Sequence, residues 1–214
     1  MIKKIIKNLT PPILNKILSY FLYNTIISEN ILFDGDDWLF KKIITKDDIY
    51  GEYGCGKSTI WVSKNFDIDV YSIDSSIEWK KKISIVTSNN KRVKIYHPKL
   101  GEVGGWGMPT SYKKKDNFNI YTDWIWQQKY KPTIVLIDGR FRVCCFLTSL
   151  IKAKEGTKIL FDDYADRKYY HYIENFIQPV KRYRRQSLFI VPKKNKLNVA
   201  EIKKSISHFR YVFD

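Results

Sequence analysis

The stretch DDIYGEYGCGKSTIWV, Asp47 to Val62, gathers several residues able to do chemistry. Counted from Gly51 it reads G-x-x-x-x-G-K-S. In that pattern backbone N–H groups wrap phosphates at a helix N-terminus, Lys57 reaches the outer phosphates and Ser58 holds a magnesium ion. Asp138, at the end of IVLID, would then complete the metal site of a phosphate-loop kinase or nucleoside triphosphatase. Counted from Glu52 the same stretch reads E-x-G-x-G, with Gly54 and Gly56 letting the backbone approach a nucleoside. This second frame needs an acid at the end of the next strand to grip the ribose hydroxyls. Asp74 stands there, twenty residues beyond Gly54, with Ser75 beside it. A phosphate loop has no use for Asp74, so the second frame explains more of the chain.

Other candidates follow apolar runs. Asp138 ends IVLID, and Asp162 and Asp163 end ILFDD. In a parallel sheet such strand ends are neighbours, so the three carboxylates are expected to converge. One would serve as general base, or all three would hold Mg²⁺, which prefers oxygen ligands and would lower the pKa of an acceptor hydroxyl. The bland alternative is that they cap the following helices. Arg140 and Arg142 suit carboxylate or phosphate recognition, or else pair with Asp162 and Asp163. Tyr164 stands at the mouth of its strand, in reach of an acceptor. His97 is a possible base, His171 a structural residue among aromatics. Trp106, between glycines, would stack on a sugar or a base, or simply pack.

These residues need strands and helices to position them. DIYGEY (48–53), DIDVYSID (67–74), RVKIYH (92–97), PTIVLIDG (132–139), GTKILFDDY (156–164) and RRQSLFIVPK read as strands. STIWVSKNF, IEWKKKISIVTSNN, FRVCCFLTSLIKAK, YYHYIENFI and VAEIKKSISHF read as helices. Repeated strand–helix units imply an α/β fold, a Rossmann-like, doubly wound, mostly parallel sheet. The loop at 97–117 holds four of the ten glycines and a basic run, and it should overhang the carboxyl edge of the sheet as a substrate loop. Residues 11–28 repeat apolar side chains at helical spacing behind Thr10 and Pro11, with lysines flanking. The expected division is an N-terminal helical extension over 1–35, a candidate interfacial element, and a main domain over 36–214.

Lys and Arg outnumber Asp and Glu by 38 to 22, a balance that attracts polyanions, although an Ile-, Lys-, Asn- and Tyr-rich composition also raises lysine without functional demand. KRYRRQ (181–186), KKNK (193–196) and KKK (113–115) are candidate tracks for a nucleic-acid backbone. Three cysteines, Cys55, Cys144 and Cys145, fit neither a disulfide framework nor zinc spacing, which points to a reducing cytoplasm. No apolar run approaches the roughly 18 residues that span a bilayer. Peripheral membrane contact through 1–28 stays open.

Taken together, YGEYGCGKSTIWVSKN, SIDSSIEW, VLIDGRFRVCC and ILFDDYADRKYYHYIENFI resemble the class I S-adenosylmethionine-dependent methyltransferase fold. More narrowly they are similar to a bacterial and viral-type group carrying E-Y-G-x-G-x-S-T, D-G-R-F-R-V and F-D-D-Y, over about residues 47–190. The resemblance implies a seven-stranded sheet and S-adenosylmethionine as cofactor held at Glu52, Gly54, Gly56, Asp74 and Ser75; Asp138, Asp163 and Tyr164, at their strand ends, are the catalytic candidates. It implies a transferase, with O-methylation of a sugar or surface-glycan precursor, and so polysaccharide biosynthesis, as the leading expectation. An RNA methyltransferase and the phosphate-loop enzyme remain alternatives. Two departures stand out: Ser58 replaces the third glycine, and Lys57 puts a cation near the expected sulfonium.

Overall fold

Four short apolar runs, each able to bury both faces, become the middle of one sheet. They are β1 (Tyr50–Tyr53), β2 (Val70–Ile73), β4 (Ile134–Ile137) and β5 (Lys158–Phe161), with β3 (Val93–Tyr96) at the near edge. Continuous burial along β1, β2 and β4 is what a parallel sheet covered on both faces requires. The structure, a computed structural model, describes residues 31–214 and, before them, Ile17, Tyr20, Phe21 and Tyr23. The expected helix over 11–28 otherwise lies outside the described residues.

The helices alternate with the strands: α1 (Trp38–Ile43), α2 (Lys57–Asn65), α3 (Ile77–Val86), α4 (Phe118–Asp123), α5 (Arg142–Lys152) and α6 (Val199–Phe209). The strand order is β3-β2-β1-β4-β5-β7-β6, completed by β6 (Lys181–Tyr183) and β7 (Gln186–Ile190). The first five strands run parallel, and β7 is antiparallel to both β5 and β6. The chain winds one way from β1 through β2 to β3 and the other way through β4 to β5. The crevice between β1 and β4 is therefore the switch point where such sheets bind ligands. One apolar core fills the face under α5, from Val143 through Leu150. A second, around Leu39, Phe40 and Val62, fills the other.

The basic run KRYRRQ departs from expectation. It forms β6 and the turn into β7, and its charges are matched internally. Arg182 pairs with Glu174 at 2.8 Å, Arg184 with Asp36 at 2.7 Å and Arg185 with Asp34 at 2.7 Å. Lys194 likewise donates to the carbonyls of Leu150 and Ile151 at the end of α5. A run of cations reads the same in sequence whether it faces solvent or its own acids. Among the described residues no helix is long and apolar enough to cross a membrane.

Candidate functional site

Glu52 lies in the middle of the sheet with no exposed surface. The register sets it opposite Ser72 of β2, whose hydroxyl donates to Oε2 at 3.0 Å. Tyr50, two residues back on the same face, donates to Oε1 at 2.8 Å. Ser58 and Thr59, from the first turn of α2, donate to Oε1 and Oε2. Four neutral hydroxyls thus surround one carboxylate. Burial pushes its pKa up to about 7, although the hydroxyl hydrogen bonds pull the other way. Glu52 therefore does not reach out to a ligand; it ties β1, β2 and α2 together and fixes the turn between them.

That turn has only three residues, Gly54 to Gly56. Gly54 has φ +95°, and a Cβ there would lie 2.8 Å from Gly139 Cα, so the ends of β1 and β4 meet through two glycines. At Gly56 a Cβ would meet only the Trp79 indole nitrogen, at 3.6 Å, which leaves room above the turn. The phosphate-loop frame fails on this geometry. Its first glycine, Gly51, sits inside β1 opposite Tyr71 and Val135. Ser58 is buried on Glu52 instead of facing a metal, and Lys57 Nζ approaches the Ile31 carbonyl at 3.5 Å. Three residues cannot encircle a phosphate chain.

Asp74 follows the last residue of β2, as the spacing predicts. Its Oδ2 accepts from the Cys55 N–H at 2.9 Å, in the middle of the glycine turn, and its Oδ1 accepts from the Ser76 N–H at 2.7 Å. Burial raises its pKa to about 6 against these bonds. Each oxygen keeps a lone pair, which suits a vicinal diol. Ser75 is buried beside it, and Gly107 of the long loop lies directly on Ser75 and Ser76. The loop at 97–117 therefore does cover the carboxyl edge, at the end of β2. His97 directs Nδ1 to the Asp74 carbonyl at 3.1 Å, which occupies the ring in structure.

Asp138, Asp162 and Asp163 do converge, each offering a carboxylate oxygen within 4.8 Å of the others. Cations already occupy the space between them. Arg142, almost wholly buried at the start of α5, donates to Asp138 Oδ1 at 3.1 Å and Asp163 Oδ2 at 3.3 Å, and to the carbonyls of Gly139 and Asp162. Arg185, from the β6–β7 turn, pairs with Asp162 Oδ2 at 2.6 Å and Asp163 Oδ1 at 2.5 Å. Arg167 pairs with Asp163 at 2.7 Å, and Gln186 donates to Asp162 Oδ1 at 3.0 Å. Three guanidiniums balance three carboxylates. A divalent cation would have to displace guanidinium charges already bound among these oxygens, so this donor set does not fit Mg²⁺.

Asp162 has no exposed surface, and Asp163 is held on both oxygens in a left-handed backbone at φ 56°. Asp138 differs: its side chain is 32% exposed, and only Oδ1 is engaged. Burial and the neighbouring Asp162 raise its pKa, and Arg142 opposes them. Tyr164 corrects the expectation at the acceptor side. It is buried against Phe161 and His171, with its hydroxyl donating to Glu174 at 2.7 Å. A tyrosine just past a strand end turns into the core here because Phe161, Tyr170 and Phe189 offer it aromatic faces.

Three contributors escaped the sequence reading. Arg185 and Arg167 lack any local signal. Asp214 accepts from the Arg142 N–H at 2.8 Å, capping α5 where Phe141, at φ 55°, offers no side-chain cap. Arg140, read either as a carboxylate or phosphate binder or as a partner of Asp162 or Asp163, does not pair with those acids and donates Nε to the Trp106 carbonyl at 3.0 Å.

No family model matches the chain, and no curated protein does. Among solved structures it is similar to a methyltransferase-like protein from Silicibacter pomeroyi. That match spans 95% of this chain and 96% of the other, with a TM-score of 0.70 and 23% identity. A methyltransferase from Geobacter sulfurreducens matches over 89% and 96%, with a TM-score of 0.50 and 11% identity. At such identities the likeness shows the fold: a Rossmann-like α/β sheet of the class I methyltransferase type.

Proposed function

We propose that the protein is an S-adenosylmethionine-dependent methyltransferase. The observation that carries this reading is the clamp between Asp74 Oδ2 and the Cys55 N–H, 2.9 Å, which joins the second-strand acid to the glycine turn. It makes one nucleoside cradle of the ends of β1 and β2. Gly54 and Gly56 admit the cofactor's backbone side, Asp74 takes the ribose hydroxyls, and Ser75 lies beside the adenosine. Glu52 acts from behind the turn through Ser58, Thr59 and Ser72. The bound cofactor supplies an electrophilic methyl group on a sulfonium.

The finer reading is O-methylation of a sugar or glycan precursor. Asp138 is the base in that reading, because it ends β4 beside Gly54 and keeps one oxygen unengaged. Its raised proton affinity suits taking a hydroxyl proton, and Arg142 holds the carboxylate in place. The acceptor oxygen would bond to the methyl carbon as the carbon–sulfur bond breaks, and its proton would pass to Asp138.

Calorimetric titration with S-adenosylhomocysteine and, separately, with ATP and Mg²⁺ tests the reading. Wild type should bind S-adenosylhomocysteine, and Asp74→Ala should weaken that binding by about 30-fold or more, the loss of a charged hydrogen-bond pair. ATP binding that disappears in Lys57→Ala would sink the reading.

A further inference from the structure

The loop between β3 and α4 displays two groups that the reading above leaves unused. Trp106 stands at its tip, 92% exposed, with φ 57°. A bulky residue in the left-handed region is strained and persists only where its surroundings fix it. Here they do. Gly104 N donates to Met108 O at 2.8 Å, Thr110 N donates to Glu102 O at 3.0 Å, and a bridge joins Val103 to Pro109. A side chain held so firmly and packed against so little is presented to something outside the fold.

Arg140 sits beside it. Its Nε holds the Trp106 carbonyl, its two terminal nitrogens make no hydrogen bond or ion pair among the described residues, and its charge is felt by Asp74 and Asp214. Gly107 rests on Ser75 and Ser76 at the end of β2, and Arg140 follows Asp138 at the end of β4. The indole and the free guanidinium nitrogens thus border the edge where the cradle and the base candidate open. Lys99, Lys113, Lys114 and Lys115 are exposed on the same loop, outnumbering its acids Glu102 and Asp116.

We propose that Trp106 and Arg140 form the acceptor-recognition pair, and that the acceptor is a small molecule carrying a phosphate beside a ring. This rests on the methyltransferase reading. A guanidinium fork matches phosphate oxygens, and an indole face stacks on a base or on the apolar face of a sugar. A small acceptor is favoured over RNA because the arginines of 181–186 and Lys194, which would track a longer backbone, are bound to the protein's own acids and carbonyls.

The test is calorimetry on the full chain saturated with S-adenosylhomocysteine. The probes are UDP-glucose, glucose 1-phosphate, methyl glucoside as neutral control, and a ten-residue oligouridylate. The variants are Trp106→Ala and Arg140→Gln, whose amide still donates to the Trp106 carbonyl. The expected result is binding of UDP-glucose or glucose 1-phosphate, weakened about tenfold or more in each variant, with methyl glucoside at least about tenfold weaker. A response to UDP-glucose alone would identify a nucleotide sugar, and a response to both a sugar phosphate. Should Arg140→Gln loosen the loop, Trp106→Ala still decides, since its side chain supports nothing. Equal affinities across wild type and variants, binding of neither phosphorylated probe, or binding of the oligonucleotide alone would overturn the proposal. If wild type binds S-adenosylhomocysteine but no phosphate probe, only the acceptor site is wrong. If it binds no S-adenosylhomocysteine, the reading beneath it is wrong.

Discussion

Two groups of acids share the carboxyl half of the sheet and are accommodated by opposite means. At β1 and β2, Glu52 meets four hydroxyls and Asp74 meets two backbone N–H groups, all neutral donors. At β4 and β5, Asp138, Asp162 and Asp163 meet Arg142, Arg167 and Arg185. Burial raises the pKa of Glu52 to about 7 and that of Asp74 to about 6, and it raises Asp138 and Asp162 as well, where the guanidiniums pull the other way. A carboxylate bound by guanidiniums is balanced in charge, so a metal would have to displace them to bind it. The first arrangement underlies the proposed nucleoside cradle. The second is a charged wall in which Asp138 is the most exposed of the three acids.

The largest effect should come from breaking the charged wall. Arg142→Met strands Asp138 and frees the carbonyls of Gly139 and Asp162, while Asp163 keeps Arg167 and Arg185. Loss of one partner of a buried ion pair costs about 3–5 kcal/mol, read as a fall in urea-unfolding stability. A loss below about 1 kcal/mol would mean the wall is not held by charge.

Next comes the pH response of the neutral cage. Folded Glu52 keeps its proton to about pH 7, whereas an unfolded glutamic acid releases it near 4.5. The folded state therefore binds the extra proton between those values, and stability from this residue is full below the lower one and lost as pH rises through the upper. The loss amounts to about 3 kcal/mol. Glu52→Gln cannot titrate, so its stability relative to wild type should improve as pH rises through that window. A constant difference across the window would show that Glu52 is ionised throughout, and the contrast between the two groups would collapse.

The smallest effect sharpens the contrast from the metal side. Magnesium at about 10 mM should move the melting temperature by less than about 1 °C, because no site in the wall gains from binding it. A clear rise that Asp163→Asn removes would show that a cation can displace the arginines.

The mostly parallel sheet and the placement of most strands and helices were legible because apolar runs of strand length alternate with longer amphipathic segments, whereas the strand order came only from the structure. The short α4 and the β6 strand were not. Phe118–Asp123 follows a long glycine-rich loop, and KRYRR carries no apolar alternation to mark a strand. In the site, Gly54, Gly56, Asp74 and Asp138 could be placed from spacing alone, since each directly follows a strand whose end the sequence marks. Tyr164 could not, because its direction depends on aromatic neighbours brought in from β7 and from Tyr170.

The sequence by itself determined which residues would stand at the carboxyl edge of the sheet, because that is a matter of where strands stop. What each acid does there was decided only by the tertiary structure. Ser72 comes to Glu52 across twenty residues, and Arg185 to Asp162 across twenty-three. An acid's proton affinity, its free lone pairs and its room for a ligand all depend on which partner arrives. Nothing in the local sequence of EYG or FDDY records whether that partner is a hydroxyl, a backbone N–H or a guanidinium.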